Sequence, residues 1–542
     1  MPGDQQVFDV CIVGTGPAGI VCCLELAKRR PDFRILLLEY GAAAPGDNSL
    51  DRSIEVLNLV NHHPPAECTN KGLGGSSATW GGRCVTYDEI DFLDRPVIAG
   101  QCTWNLDFFN CVKGYYAAAA DYMECGAPLF TIEECFPGQA SRISQNYKAG
   151  DISDSCLERW SMPTRFGDRY REELAAAKNV ELVQPFEVAS IVGSPGAEDV
   201  RISGRVPDSS ETRTYTAKKL VLAAGAQEST RLLLRNPNLF GKSEQIPKQL
   251  GLYYQGHISG KIASIVFTGD PKATDFGFLK DGEIYVRRRF QFSTTLLQKE
   301  NLLSTALWLD NPLYSDPSHR SGTMSFIYLM MRLPVIGRRL APPAIAHSIT
   351  KGTQARLSLH FGNILRGFPK SFLEPASIFM RRYLAKRKLP GVFLYSPDNS
   401  YALHFHAEQV PVEENRMFLA EDGVTLKIAY GYVDADVDSV IRTHRILDEW
   451  LRKTGAGRLD YWYPEAELAE RVRNQSKDGL HQVGTTRMSL TADDGVVNPD
   501  MQLWNNDRVY LCSSSVFPTS SQANPTFFLA ACAARLAAHL AS

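Results

Sequence analysis

Short apolar runs, each handing over to a glycine turn or a helical pattern, mark both ends of the chain, while alternating runs fill its middle. Phe8-Asp-Val-Cys-Ile-Val13 is short, apolar and β-branched, the pattern of a buried strand. Gly14-Thr-Gly16-Pro-Ala-Gly19 follows at once, then a helical stretch from Ile20 to Arg29, then a second strand, Arg34-Ile-Leu-Leu-Leu-Glu39. Lys219-Leu-Val-Leu-Ala-Ala-Gly225 predicts a later strand of the same parallel sheet, with an apolar helix behind it. Between roughly 250 and 430 the runs shorten and alternate, as in His257 to Phe267 and Tyr401 to His406, which predicts a mainly antiparallel sheet. Val509 to Pro518 reads as a strand running into a polar turn, and Phe527 to Leu540 as an alanine-rich helix.

The pattern predicts an α/β chain, α+β overall. A Rossmann-type domain would be assembled from residues 1–100, 175–240 and 475–542. Residues 101–174 would form a linking or cap region, and 241–474 a substrate domain built on the antiparallel sheet. The first βαβ unit carries its chemistry in its spacing. Gly14 permits a tight turn, Gly16 lets a pyrophosphate approach the backbone, and Gly19 lets helix and strand pack closely. The helix N-terminus faces the phosphates, and Glu39 can accept from ribose hydroxyls. A second glycine cluster, Gly72-Leu-Gly74-Gly75-Ser76-Ser77-Ala-Thr79-Trp80-Gly81-Gly82-Arg83, can press its backbone against a planar ligand or an anion.

Composition narrows the classes. With 542 residues the chain exceeds one ordinary core. Hydrophobic residues at 44% and charged residues at 22% exclude wholesale disorder and a coiled coil. A net charge of −2 gives no electrostatic case for nucleic acid. The twelve cysteines contain no CxxC, so neither a zinc site nor a disulfide framework is expected, and reduced thiols suit a cytoplasmic protein with no metal. No signal peptide is expected from the polar N-terminus, and no run reaches the roughly 18 apolar residues of a spanning helix.

With His481-Gln-Val-Gly-Thr-Thr-Arg-Met488 and Asn524-Pro525-Thr526 added to the two glycine motifs, the chain resembles the glucose–methanol–choline (GMC) oxidoreductases, flavoenzymes that oxidise alcohols. It looks most like their pyranose-oxidase and bacterial sugar-oxidising branch. The resemblance implies bound FAD, with Gly14, Gly16, Gly19 and Glu39 at the ADP moiety and Gly75, Ser76, Thr79 and Trp80 beside the isoalloxazine ring. Val188 would touch adenine through its backbone, and Ser514, Pro525 and Thr526 would complete the cofactor contacts. Thr79 stands where pyranose oxidases carry the histidine that links their flavin, so the FAD is expected to be non-covalent. Ser513 stands where the family commonly has aspartate.

The implied reaction is oxidation of a secondary alcohol, a ring hydroxyl of a sugar or glycoside, to a ketone, with an electron acceptor left open. His481 would take the hydroxyl proton, for which an imidazole is suited near neutrality, and Asn524 would hold the alcohol oxygen. His404 and His406 alternate along a strand and share a face, where they either line the substrate cavity or satisfy backbone groups. Rival readings are a non-redox lyase that keeps the flavin structurally, and a lipid- or partner-binding protein on a flavoprotein fold.

One feature is independent of the family. Residues 326–390 hold eight arginines and four lysines against one acid, Glu374, among apolar runs such as Phe326 to Met331. A helix over Ala376 to Lys388 would put Phe379, Met380, Tyr383 and Leu384 on one face and Arg381, Arg382, Lys386 and Lys388 on the other. Basic and apolar together suit peripheral membrane or anionic-lipid contact at the inner face of a membrane, an anionic-ligand site, or a solvated basic lobe over ordinary core. The prolines at 334, 342, 343 and 375 are expected to break the stretch into short pieces.

Overall fold

The computed structural model describes residues 7–41, 53–138, 142–161, 164–207, 209, 211–333, 357–394, 396 and 398–542. The N-terminal hexapeptide and, within the basic stretch, 334–356 with Pro334, Pro342 and Pro343 lie outside the described residues, as does the side chain of Tyr383.

In chain order the strands that matter are β1 (Val7–Val13), β2 (Ile35–Leu38), β3 (Ile152–Trp160), β4 (Val180–Val183), β5 (Glu187–Val192), β6 (Val200–Arg205), β7 (Thr212–Leu222), β8 (Ile258–Phe267), β9 (Ile284–Phe292), β10 (Thr305–Asp310), β11 (Ser400–Ala407), β12 (Gly457–Tyr461) and β13 (Val509–Leu511). The helices are α1 (Pro17–Arg29), α2 (Gly225–Arg235), α3 (Gly322–Arg332), α4 (Leu357–Arg366), α5 (Lys370–Phe379), α6 (Asp434–Thr454) and α7 (Thr526–Ala541).

The Rossmann-type sheet runs β4-β2-β1-β7-β6-β5, with β13 paired to β7. Its β4, β2, β1, β7 and β13 are mutually parallel, so Cys11 faces Leu36 on one side and Leu220 on the other. Strands β5 and β6 add an antiparallel edge. Parallel strands covered on both faces read as near-continuous apolar runs, and all four β2 residues are buried. Helices α1 and α7 pack against each other beside this sheet, with Cys22, Cys23, Phe527, Phe528 and Cys532 inside the same core.

The second sheet is antiparallel and runs β12-β8-β11-β10-β9-β3, ending on the short strand Arg83–Cys84. Helix α6 covers it, joining a core of Ile265, Phe290, Leu403, Phe405 and Leu447. Strand β3 and Arg83–Cys84 belong here, although the sequence pattern puts them in a linking region and the first nucleotide segment. The reason is electrostatic. Glu158 and Arg159 are fully buried, and their charges hide the strand's apolar alternation. Glu158 accepts from Arg83 and Arg287, each at 2.9 Å, and Arg159 pairs with Asp281 at 2.6 Å. A charged side chain goes inside only when its partner goes with it.

Candidate active site

The nucleotide end is shaped by close backbone contacts. Gly14 has φ +106°, and a Cβ there would meet Ala223 O at 2.6 Å, so the turn after β1 must be glycine for β7 to lie beside it. A Cβ on Gly19 would come within 2.0 Å of Gly14 O. At Gly16 the opposite holds: no atom lies within 4 Å of a Cβ position, at the N-cap of a helix whose first N–H groups meet no capping side chain. Open space at an uncapped helix N-terminus fits a pyrophosphate.

Glu39 differs from expectation. Its Oε2 accepts from the Thr15 N–H at 3.0 Å and the Thr15 hydroxyl at 2.6 Å, and its Oε1 accepts from Gly41 N–H and Gly72 N–H, each at 2.9 Å. The carboxylate's roughly four lone-pair positions are therefore engaged by the chain itself, knitting the second glycine loop to the first. Val188 is expected to meet adenine through its backbone, and its side chain is turned into the core. It lies on β5, at the far edge of the sheet, and the nearby Phe186 N–H donates to Glu39 O at 2.7 Å.

The second glycine loop lies across the first: Gly74 N–H donates to Thr15 O at 2.9 Å. Residues 164–167 hold it from behind. Trp80 Nε1 donates to Thr164 O at 2.9 Å, Arg165 to Ser77 O at 2.9 Å, and Phe166 N–H to Ser77 Oγ at 3.1 Å. Ser76 and Thr79 stand exposed, and Thr79 Oγ1 accepts from Asn70 at 2.6 Å. Ser514 donates to Gln482 O at 2.6 Å, tying the turn after β13 to the segment that carries His481. Pro525 caps α7 and Thr526 is its first residue, so Asn524 sits directly before that helix.

His481 and Asn524, 43 positions apart, are in contact. Asn524 Nδ2 donates to His481 Nε2 at 2.6 Å. On the other side His481 Nδ1 faces Asp478 Oδ2 at 3.3 Å. Asp478 also accepts from the His257 N–H at 2.6 Å, and its Oδ2 lies 3.4 Å from His257 Nδ1. Burial works against ionising Asp478, but the facing His481 and His257 outweigh it and hold the carboxyl well below the usual range. An ionised Asp478 favours the tautomer of His481 with its proton on Nδ1, so that the Nε2 lone pair accepts from Asn524.

His406 and His404 separate. His406 stacks on His257, centroids 4.1 Å apart, and lies 5.5 Å from His481, so it joins the site. His404 stacks on Trp308 at 4.3 Å, one layer away. Arg83 and Arg287 lie over the Trp308 ring at 4.4 and 4.9 Å. Burial, more than Asp478 can offset, lowers His257; burial and then the neighbouring His257 lower His406; burial and then Lys261 bring His404 down to about 3. These three rings are neutral near pH 7. Ligand atoms of His257, His406 and His481 lie within 4.8 Å of one another, the one such cluster among the described residues, where the sequence predicts no metal. Both nitrogens of His481 are already engaged, by Asp478 and Asn524.

Sequence reasoning misses His257, Asp478 and residues 164–167. Asp478 carries a local signal, three residues before His481. His257 carries none, because only the pairing of β8 with β11 brings it to His406.

Residues 411–533 match the family described as GMC oxidoreductase. Along nearly its whole length the chain is similar in fold to a pyridoxine 4-oxidase from Mesorbium loti (TM-score 0.53, 15% identity, 98% of this chain and 99% of that one) and to a fungal aryl-alcohol oxidase (TM-score 0.52, 15% identity, 99% of each). Local matches to curated proteins include a probable mitochondrial electron transfer flavoprotein-ubiquinone oxidoreductase of Schizosaccharomyces pombe, 32% identical over 17% of this chain and 14% of that protein. Another is a C-glycoside 3-oxidase of Microbacterium trichothecenolyticum, 42% identical over 11% of this chain and 12% of that one. A thiamine thiazole synthase of Coprinopsis cinerea is 35% identical over 13% and 22%. The chain thus spans less than a quarter of each of these three relatives.

Proposed function

We propose that the chain, whose residues 411–533 match the family described as GMC oxidoreductase, is a flavin-dependent member of that family and oxidises a ring hydroxyl of a sugar or glycoside to a ketone. The observation that carries the reading is the hydrogen bond between Asn524 and His481, backed by Asp478. An alcohol oxygen inserted between them would accept from Asn524 Nδ2 and donate its proton to His481 Nε2. Asp478 would stabilise the imidazolium so formed and fix its orientation. Asn524 Oδ1 and His406 Nε2 are buried without a partner, two further positions for hydroxyls, which favours a polyhydroxylated ring over a simple alcohol. The partial match to a C-glycoside 3-oxidase points to the same class.

FAD, when bound, supplies the hydride acceptor at its N5. The uncapped α1 N-terminus and the open space at Gly16 would hold its pyrophosphate, and the loop from Gly75 to Trp80 would flank the ring system. Thr79 offers only a hydroxyl where a linking histidine would stand, so attachment is non-covalent and acid precipitation is expected to release all the yellow colour.

The test of the reaction is anaerobic mixing of the purified flavoprotein with a panel of free sugars, O-glycosides, a C-glycoside, benzyl alcohol and pyridoxine. Bleaching by the sugars or glycosides is expected. Bleaching by benzyl alcohol or pyridoxine alone would overturn the substrate class, and no bleaching by any would favour a lyase.

A further inference from the structure

Strands β10 and β11 are neighbours in the antiparallel sheet, and both reach the site, through Trp308 and His406. Between them the chain makes an excursion that includes α3, α4 and α5. Asn311, just past β10, fastens the two ends of this lobe together: its Nδ2 donates to Val392 O at 2.7 Å, and its Oδ1 accepts from Leu394 N–H at 2.8 Å. Helix α3 packs on both α4 and α5. Its Tyr328 stacks on His360, ring centroids 4.6 Å apart, and Met324 packs with Ile378. The lobe therefore has an inner face with its own small core.

Its outer face is apolar. Ten of the 22 large apolar side chains that stand exposed among the described residues fall within positions 357–384. Leu357, Phe361, Leu365 and Phe368 recur at helical spacing along α4 and past its end, exposed by 44, 56, 76 and 69%. Phe372, Met380 and Leu384 continue the stripe along α5 and the turn after it, exposed by 43, 60 and 70%. Phe368 and Phe372 meet at 6.1 Å and join the two halves. Around it stand Arg366, Lys370, Arg381, Lys386 and Lys388, all exposed, against the single acid Glu374, which Lys370 approaches at 4.0 Å. Scattered exposed leucines need no explanation; a contiguous stripe fringed by one sign of charge does.

The sequence expectation is corrected in two respects. Helix α5 begins at Lys370 and runs through Pro375 rather than starting at Ala376. Arg382 donates to Leu389 O and Pro390 O, at 3.4 and 3.0 Å, and so serves the lobe's own fold.

We propose that the α4–α5 face docks on an anionic phospholipid bilayer, its leucines and phenylalanines entering the interface and its cations meeting the headgroups. Charge complementarity selects this occupant: a protein partner would have to supply a similarly apolar strip edged with acids, whereas an anionic leaflet supplies both at any orientation. Among the described residues no helix is long and apolar enough to cross a membrane, so the contact is peripheral. The inference does not depend on the reaction proposed above.

The test is flotation of the full-length, flavin-loaded protein with vesicles of phosphatidylcholine alone or with about a third phosphatidylglycerol. Wild type is expected to float with the anionic vesicles and to release at high salt. Arg381→Glu with Lys386→Glu should weaken partition by about tenfold or more on anionic vesicles, since each basic residue contributes roughly fivefold. Leu365→Asp with Leu384→Asp should abolish flotation while flavin content stays intact. Absence of flotation by wild type at low salt overturns the proposal, as does flotation unchanged in both variants. A concentration-dependent dimer dissolved by Leu365→Asp, without flotation, would assign the face to a second copy of the chain instead.

Discussion

The wall of the site and the lobe that springs from it break the ordinary rule of burial in opposite directions. At the wall, Asp478, His257, His406 and Glu158 are buried, and at the lobe Leu365, Phe368 and Leu384 stand in the open. Either arrangement costs stability, because a polar group inside must find partners and an apolar group outside orders water. The two regions share strands β10 and β11, so the contrast does not come from separate folding units. It teaches that the informative positions are those where chemistry and location disagree. At the wall the carboxylates of Asp478 and Glu158 are met by donors already present in the chain, while His406 Nε2 is left without one. At the lobe nothing among the described residues offsets the cost of exposure, and the proposed docking would supply that offset.

The comparison breaks most directly at His481. His481→Ala is expected to keep its flavin and lose roughly 10²–10⁴-fold in the rate of anaerobic flavin reduction by whichever sugar or glycoside bleaches the wild type. Asp478→Asn should follow with a loss of about 10²-fold, since an amide can donate to Nδ1 and leave the proton on Nε2. Stopped-flow rates equal to wild type in His481→Ala would remove the histidine from the reaction. Rates equal in Asp478→Asn alone would make the aspartate structural.

Acid stability tests the buried rings next. His404 sits near 3 in the fold against an ordinary value near 6.5, so the unfolded chain takes up its proton first. The stability from its neutral form is fully present above about pH 6.5 and is lost as pH falls towards 3, at about 1 kcal/mol per pH unit. His404→Phe keeps a ring against Trp308 and should flatten the fall in urea-denaturation free energy between pH 6 and pH 4. An unchanged slope would mean that another group sets it.

The smallest effect separates neighbours. Ile364 is 8% exposed and Leu365 is 76% exposed. Ile364→Ala should cost about 2 kcal/mol or more, and Leu365→Ala should stay within about 0.5 kcal/mol. Equal losses, measured by chemical denaturation of the soluble protein, would mean that Leu365 is covered by the chain in solution.

Much of this was legible beforehand, and the omissions have one cause. Gly14, Gly16 and Gly19 could be read because their roles are local, set within a few residues by turn and packing geometry. His481 and Asn524 are marked out by the resemblance to the GMC oxidoreductases, whereas their contact is seen only in the fold. What stayed hidden depends on residues far apart in sequence: His257 against Asp478, Arg83 and Arg287 on Glu158, and Arg165 behind Trp80. Glu39 was located correctly as a strand end, yet its partners, Thr15, Gly41 and Gly72, are set by loop closure that no periodicity encodes.

The interleaving of β1 with β7, and of β7 with β13, has a consequence for biosynthesis. During translation β1 and the Gly14 turn emerge well before β13, Asn524 and α7, which packs on α1. At roughly 5–20 residues per second, the nascent first segment waits roughly half a minute to two minutes with one flank of α1 bare. A ribosome stalled before position 526 would hold a chain with most of both sheets and no place to finish the cofactor pocket. A pocket closed by these segments is expected to form only after α7 has been made.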